Sequence, residues 1–157
     1  MATEIERKFV VSEPPGADVL GPGRHLRQGY LAEEGDVEVR VRIDDSTGVA
    51  VLTVKGGRGL ARVEVERPIT MDEADGLWPF TAGRRIDKVR HGLMVGTHRV
   101  DLDLYAGPLA GLCTAEVEFE SEAEAAVFVA PPWFGVEVTG DGRWGNASLA
   151  RKGAPDR

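Results

Sequence analysis

A period of two constrains this chain more than any other feature. In VEVRVRID, residues 37–44, Val37, Val39, Val41 and Ile43 alternate with Glu38, Arg40 and Arg42. Successive side chains of a strand point to opposite faces, so such a segment suits a strand and not a helix. The alternation recurs in residues 4–11, 24–33, 49–56, 61–69, 84–93, 97–107 and 113–121. Between these runs lie turn signals, supplied from 20 glycines and nine prolines. Helical patterns are few and short. Residues 70–80 (TMDEADGLWPF) carry Thr70 as an N-cap with acids in the first turn. Residues 121–130 open with a capping box of Ser121 and Glu124, and a last helix is expected from Trp144 to Lys152. A short strand is expected at VEVTG, residues 136–140, and a helical turn within residues 12–23. At 157 residues, with no repeat and no linker, the chain reads as one domain, residues 1–157, mainly β with a few helices.

Sorting the strands by face separates two kinds of residue. One face carries Ile5, Phe9, Val41, Ile43, Leu52, Val100, Leu102 and Val117; the opposite face is almost wholly charged, from Glu4, Glu6 and Lys8 to Glu116, Glu118 and Glu120. An open antiparallel sheet with one wet face explains any single strand. It explains the set poorly, because a solvated face ordinarily mixes Thr, Ser and Gln with its charges. About eight strands close into a barrel whose inward and outward positions alternate. If the helices and loops cover the apolar face, the charged face lines a wet tunnel.

Such a lining is costly by itself, since like charges crowd and each is partly desolvated. A polyanion with a divalent metal relieves it. Arg and Lys hold phosphate oxygens, and carboxylates hold Mg²⁺ or Mn²⁺. Glu4 and Glu6 stand about 6.6 Å apart at ordinary strand rise, near enough to serve one metal–phosphate group.

The motif EIERK, residues 4–8, resembles the ExExK signature of the CYTH superfamily of triphosphate tunnel metalloenzymes. The similarity continues in order through RQGYL, VRVR, TVKGG, RVEVE, DKVR, DLDLYAG, GLCTAEVEFE and PPWFGVEVTGDGRWGNASLA, and most resembles the short bacterial members. The resemblance implies an eight-stranded antiparallel closed β tunnel that hydrolyses inorganic triphosphate or a related triphosphate with Mg²⁺ or Mn²⁺. It implies metal ligation by Glu4, Glu6, Asp103, Glu116 and Glu118. Phosphate binding falls to Lys8, Arg40, Arg42, Lys55, Arg62, Lys88 and Arg90, with Lys55, Arg42, Glu4 and Glu6 closest to the chemistry. Glu64, Glu66 and Asp101 are possible additional acids. Val136 is a departure, standing where relatives often carry a basic residue. Within the same architecture the alternatives are a class IV-type adenylate cyclase and a thiamine or nucleoside triphosphatase; outside it, a non-catalytic polyphosphate or nucleotide sensor.

The net charge of −7 argues against a general nucleic-acid or anionic-membrane binder. No apolar run approaches the ~18 residues of a membrane span, and no signal peptide precedes the first strand, so a cytoplasmic location is expected. Cys113, the single cysteine, excludes an internal disulfide. KGGRG lacks phosphate-loop spacing and reads as a hairpin turn. His25, His91 and His98 share no metal spacing. Trp78 and Phe80 are expected to pack the middle helix on the barrel, and Trp133 and Phe134 to anchor the chain before its last strand. The oligomeric state is open.

Overall fold

A computed structural model describes residues 2–156. Eight strands form one antiparallel barrel: β1 (Ala2–Val10), β2 (Arg24–Glu34), β3 (Val37–Asp44), β4 (Val49–Gly56), β5 (Ala61–Ile69), β6 (Arg85–Val95), β7 (His98–Tyr105) and β8 (Cys113–Phe119). They close in the order β1-β5-β4-β3-β2-β6-β7-β8. Four short helices decorate it: α1 (Ala17–Leu20), α2 (Met71–Leu77), α3 (Glu122–Val127) and α4 (Asn146–Lys152). None is long and apolar enough to cross a membrane.

Register carries the sequence alternation into space. Residues opposite one another in an antiparallel ladder share a face, and Glu6 opposes Glu118, Lys8 opposes Glu116, and Glu116 opposes Asp101. Lys55 opposes Glu38 and Glu64, and Arg90 opposes Asp103. The charged set is therefore the inner wall. Outside, Phe9, Val100, Leu102, Ala115, Val117 and Phe119 pack under α3 and the loop that follows it. Val41, Ile43 and Ala50 pack under α2 and Trp78. α2 begins with a complete capping box, Thr70 accepting from Glu73 N and Glu73 accepting from Thr70 N.

Several expectations are corrected. Residues 136–140 form no strand of their own. β5 pairs with β1 only up to Ile5, which leaves a free edge at Lys8–Val10; the segment meets that edge through Val10 N→Val136 O, Val138 N→Lys8 O and one bridge, Phe9–Glu137, before Gly140 (φ 77°) turns it away. α4 starts at Asn146, because Gly142–Trp144 is a 3-10 turn capped by Asp141. The box at Ser121 is half made: Ser121 accepts from Glu124 N, but the Glu124 carboxylate takes the amide of Glu120. Phe80 is 67% exposed and packs nothing down. The outer face is not fully covered either, as Val37, Val54 and Val63 remain 40–47% exposed beyond the reach of α2.

Candidate active site

Alternation along eight strands brings most of the expected residues into two groups inside the barrel. In the first, the Lys55 ammonium lies 2.8 Å from Glu4, 3.5 Å from Glu64 and 3.9 Å from Glu6. Lys8 is 3.5 Å from Glu116 and donates to the Trp144 carbonyl at 2.7 Å. In the second, fully buried Asp103 accepts from Lys88 Nζ at 2.8 Å and from Arg90 Nε at 2.7 Å. Arg90 also stands 3.4 Å from Asp101. Two looser pairs, Arg42–Glu66 at 3.6 Å and Arg62–Glu38 at 3.7 Å, complete the wall.

Arg40 is different. It is 6% exposed, its Nε has no hydrogen-bond partner, and it makes no ion pair among the described residues. Burial works against its charge, but Tyr30, Glu38 and Glu64 outweigh that and push its pKa up. Arg42 moves the other way, lowered by burial and by repulsion from Arg40 and Arg90.

The acids divide similarly. Burial, then the nearby Glu116, pushes Glu6 up to about 8 against the pull of Lys55. Glu4 is raised by burial and by Glu64, and Glu118 by burial, Asp101 and Glu4. Glu116, despite its burial, is held down at about 2 by Lys8, Arg90 and Lys88. Lys88 and Arg90 overcome the burial of Asp103 and lower it well below the carboxylate range. Burial in turn lowers Lys88 to about 7.

A cavity of about 420 Å³ opens between the β2–β3 turn, the β4–β5 turn and the C-terminal arm. Glu6, Lys8, Arg40, Lys55, Arg62 and Glu116 face it, and no aromatic side chain lines it. The other expected site residues stand deeper or toward the far end. The donor set fits a hard divalent cation, because Glu4, Glu6, Glu116, Glu118 and Asp101 form one patch of carboxylate oxygens. The buried Oδ1 of Asp101 makes no hydrogen bond; Arg99 stands 3.5 Å from it, and Arg90 3.4 Å from Oδ2. Among the described residues no three acid, histidine or cysteine side chains already stand at caging distance. Lys55 fills the space between Glu4, Glu6 and Glu64. Asp103 lies on the same inner wall, with both its oxygens taken by Lys88 and Arg90.

Residues beyond the expected set also face inward. Gln28, Tyr30, Thr53 and Thr114 are fully buried on the inner wall. They carry no charge, so the charge pattern does not mark them; their positions in register with Arg42, Arg40, Glu66 and Asp103 do. Val136 is 73% exposed and meets β1 through its carbonyl, which accepts from Val10 N. His25 bridges Asp87 and Asp45, and His98 packs on Phe119 and Phe128. Burial, then Asp103, pushes the Cys113 thiol up to about 12, which leaves it unreactive.

Closed walls, an interior of opposed charges and carboxylates gathered on one side define a triphosphate-tunnel fold. The CYTH domain model matches residues 2–130. An inorganic triphosphatase of Nitrosomonas europaea is 43% identical over 150 residues, 94% of this chain and 97% of the relative. Another, of Acetivibrio thermocellus, is 37% identical over 153 residues, 96% and 95% of the two chains. A crystal structure of an inorganic triphosphatase superposes with a TM-score of 0.71 at 38% identity, covering 99% of both chains. The chain belongs to the CYTH domain family.

Proposed function

We propose that this protein hydrolyses inorganic triphosphate to phosphate and diphosphate, using Mg²⁺ or Mn²⁺. The observation that carries this reading is the 420 Å³ cavity itself, lined by eight cations and six acids and by no aromatic ring. It offers a grip for phosphate oxygens and no platform for a base. The strain in both charge populations supports it: the charge of Arg42 is disfavoured by burial and then by Arg40 and Arg90, and that of Glu6 by burial and then by Glu116. A ligand pairing phosphate oxygens with a divalent cation relieves both. The two curated relatives are named inorganic triphosphatases.

Lys8, Arg40, Lys55 and Arg62 bind and orient the triphosphate, Arg40 entering with no carboxylate to surrender. Fixed cations cost no reorganisation as charge moves onto the leaving diphosphate oxygen. Glu4, Glu6, Glu116 and Glu118 would hold the metal, with Asp101 as a further ligand. A bound divalent ion supplies charge neutralisation and a water of lowered pKa. Asp103 instead holds Lys88 and Arg90 in place, which makes it a positioning residue. Arg42 and Glu66 act together at the far end, and Glu64 restrains Lys55.

The experiment is a substrate panel of tripolyphosphate, ATP, GTP, thiamine triphosphate and pyrophosphate with each metal, reading phosphate and cyclic AMP. Tripolyphosphate is expected to have the highest kcat/KM. Cyclic AMP made from ATP without phosphate release would assign the tunnel to a cyclase.

A further inference from the structure

The C-terminal arm, residues 135–152, covers a part of the inner wall that the cations do not use. Gly135 lies so close to β1 that a Cβ there would sit 2.1 Å from the Val10 carbonyl oxygen. Val10 N donates to Val136 O at 2.9 Å, and Lys8 N to Thr139 Oγ1 at 3.0 Å. Thus seated, the arm turns inward at Trp144. The indole, 6% exposed, and Ala147 and Leu149 of α4 pack in one cluster with Val10, Tyr30, Ile86 and Tyr105. Asn146 accepts a hydrogen bond from the Tyr105 hydroxyl, and Arg151 pairs with Glu33 of β2 at 2.7 Å.

The covered wall adjoins the phosphate cations. Tyr30 opposes Arg40, and Tyr105 opposes Lys88. Both rings are buried, at 0% and 5% exposure. An aromatic surface beside a polyphosphate grip is what a nucleotide needs, because ring-on-base stacking is worth about 1–3 kcal/mol and every base has a face to offer. In this protein the arm occupies that surface.

Building on the triphosphatase reading, we propose that Trp144 and α4 are the specificity element of the tunnel. They keep the aromatic wall of Tyr30 and Tyr105 from nucleobases and so favour triphosphates that carry no organic group. Trp144 also allows a clean test. Its carbonyl holds Lys8 and its indole seals the wall, so Trp144→Ala keeps the first contact and removes the second.

Two readouts are needed: kcat/KM for tripolyphosphate, ATP and CTP, and binding of a fluorescent N-methylanthraniloyl ATP. In Trp144→Ala the ratio of ATP to tripolyphosphate kcat/KM should rise about tenfold, with CTP rising alongside, and the fluorescent nucleotide should bind more tightly. An unchanged ratio and unchanged nucleotide affinity in a variant that melts cooperatively would overturn the proposal. If Trp144→Ala does not fold, Asn146→Ala, which frees the Tyr105 hydroxyl, should move both readouts in the same direction, and no movement there counts equally against it. A wild type that releases no phosphate from tripolyphosphate refutes the triphosphatase reading. The nucleotide-binding comparison then still decides whether the arm excludes bases.

Discussion

Replacing Glu6 with Gln should stabilise the metal-free protein, although Glu6 belongs to the proposed catalytic machinery. Its carboxyl is pushed from 4.5 up to about 8 by burial and by Glu116. At pH 7 the unfolded chain carries it ionised while the folded chain prefers it protonated. About 2.5 pH units separate 4.5 from 7, at roughly 1.4 kcal/mol each, so folding bears a cost of at most about 3.5 kcal/mol from this one group. Gln keeps the volume and has no charge to neutralise. It also loses the 3.9 Å contact with Lys55, which returns part of the gain. A net stabilisation of about 1–2 kcal/mol is expected, or roughly 3–6 °C in a chain of this size. The sign with pH follows from a folded pKa above the unfolded one. Wild-type stability from this group is complete below 4.5 and is lost as pH rises toward 8. The gap between variant and wild type should therefore be small at pH 4.5 and widen up to pH 8. Urea titrations in EDTA at a series of pH values measure it. A variant less stable than wild type at pH 7, or a gap that does not change with pH, would refute the reasoning.

Asp103→Asn should act in the opposite direction, costing about 3 kcal/mol by the same urea assay, because it strands the buried Lys88 and Arg90 that it now pairs. Arg40→Ala should raise KM for tripolyphosphate even at saturating Mg²⁺, whereas Glu116→Gln should raise the Mg²⁺ concentration needed for half-maximal activity; steady-state kinetics over a metal series separates the two, and the reverse pattern would exchange their roles. Gly135→Ala should destabilise by more than about 2 kcal/mol, since its Cβ would meet the Val10 carbonyl oxygen at 2.1 Å and lift the arm from β1; thermal melts will show it.

The barrel was readable in the chain because closure turns one local rule into a global one. Alternation assigns each residue to a face, and eight alternating runs leave a single charged lining. What alternation could not supply is the pairing along that lining. Asp103 and Glu116 share a face with the other acids. Yet Asp103 opposes Arg90 across β6–β7, while Glu116 opposes Lys8 and Asp101. One step of register thus separates a carboxylate set between Arg90 and Thr114 from one set between Lys8 and Asp101. Trp144 escaped for another reason. It lies outside every strand, and its burial depends on where β5 stops pairing with β1 and leaves an edge for the arm.

That difference in neighbours explains how a fold tolerates such an interior. Asp103 is wholly buried and lowered, so its charge is stabilised by Lys88 and Arg90 before any ligand arrives. Glu6 is almost as enclosed but raised, so its charge awaits a partner. The first kind of group holds the wall together and the second holds binding energy in reserve. Mg²⁺ with tripolyphosphate should therefore raise the melting temperature of the wild type by mass action, since the ligands bind only the folded state. Glu4→Gln/Glu6→Gln lacks two of the proposed metal acids, among them the one raised furthest. It should start from an equal or higher metal-free melting temperature and gain much less from the ligands. Equal ligand-induced shifts in the two proteins would mean that the strain at Glu4 and Glu6 is unconnected with binding, and the carboxylate patch would lose its role as the metal side of the tunnel.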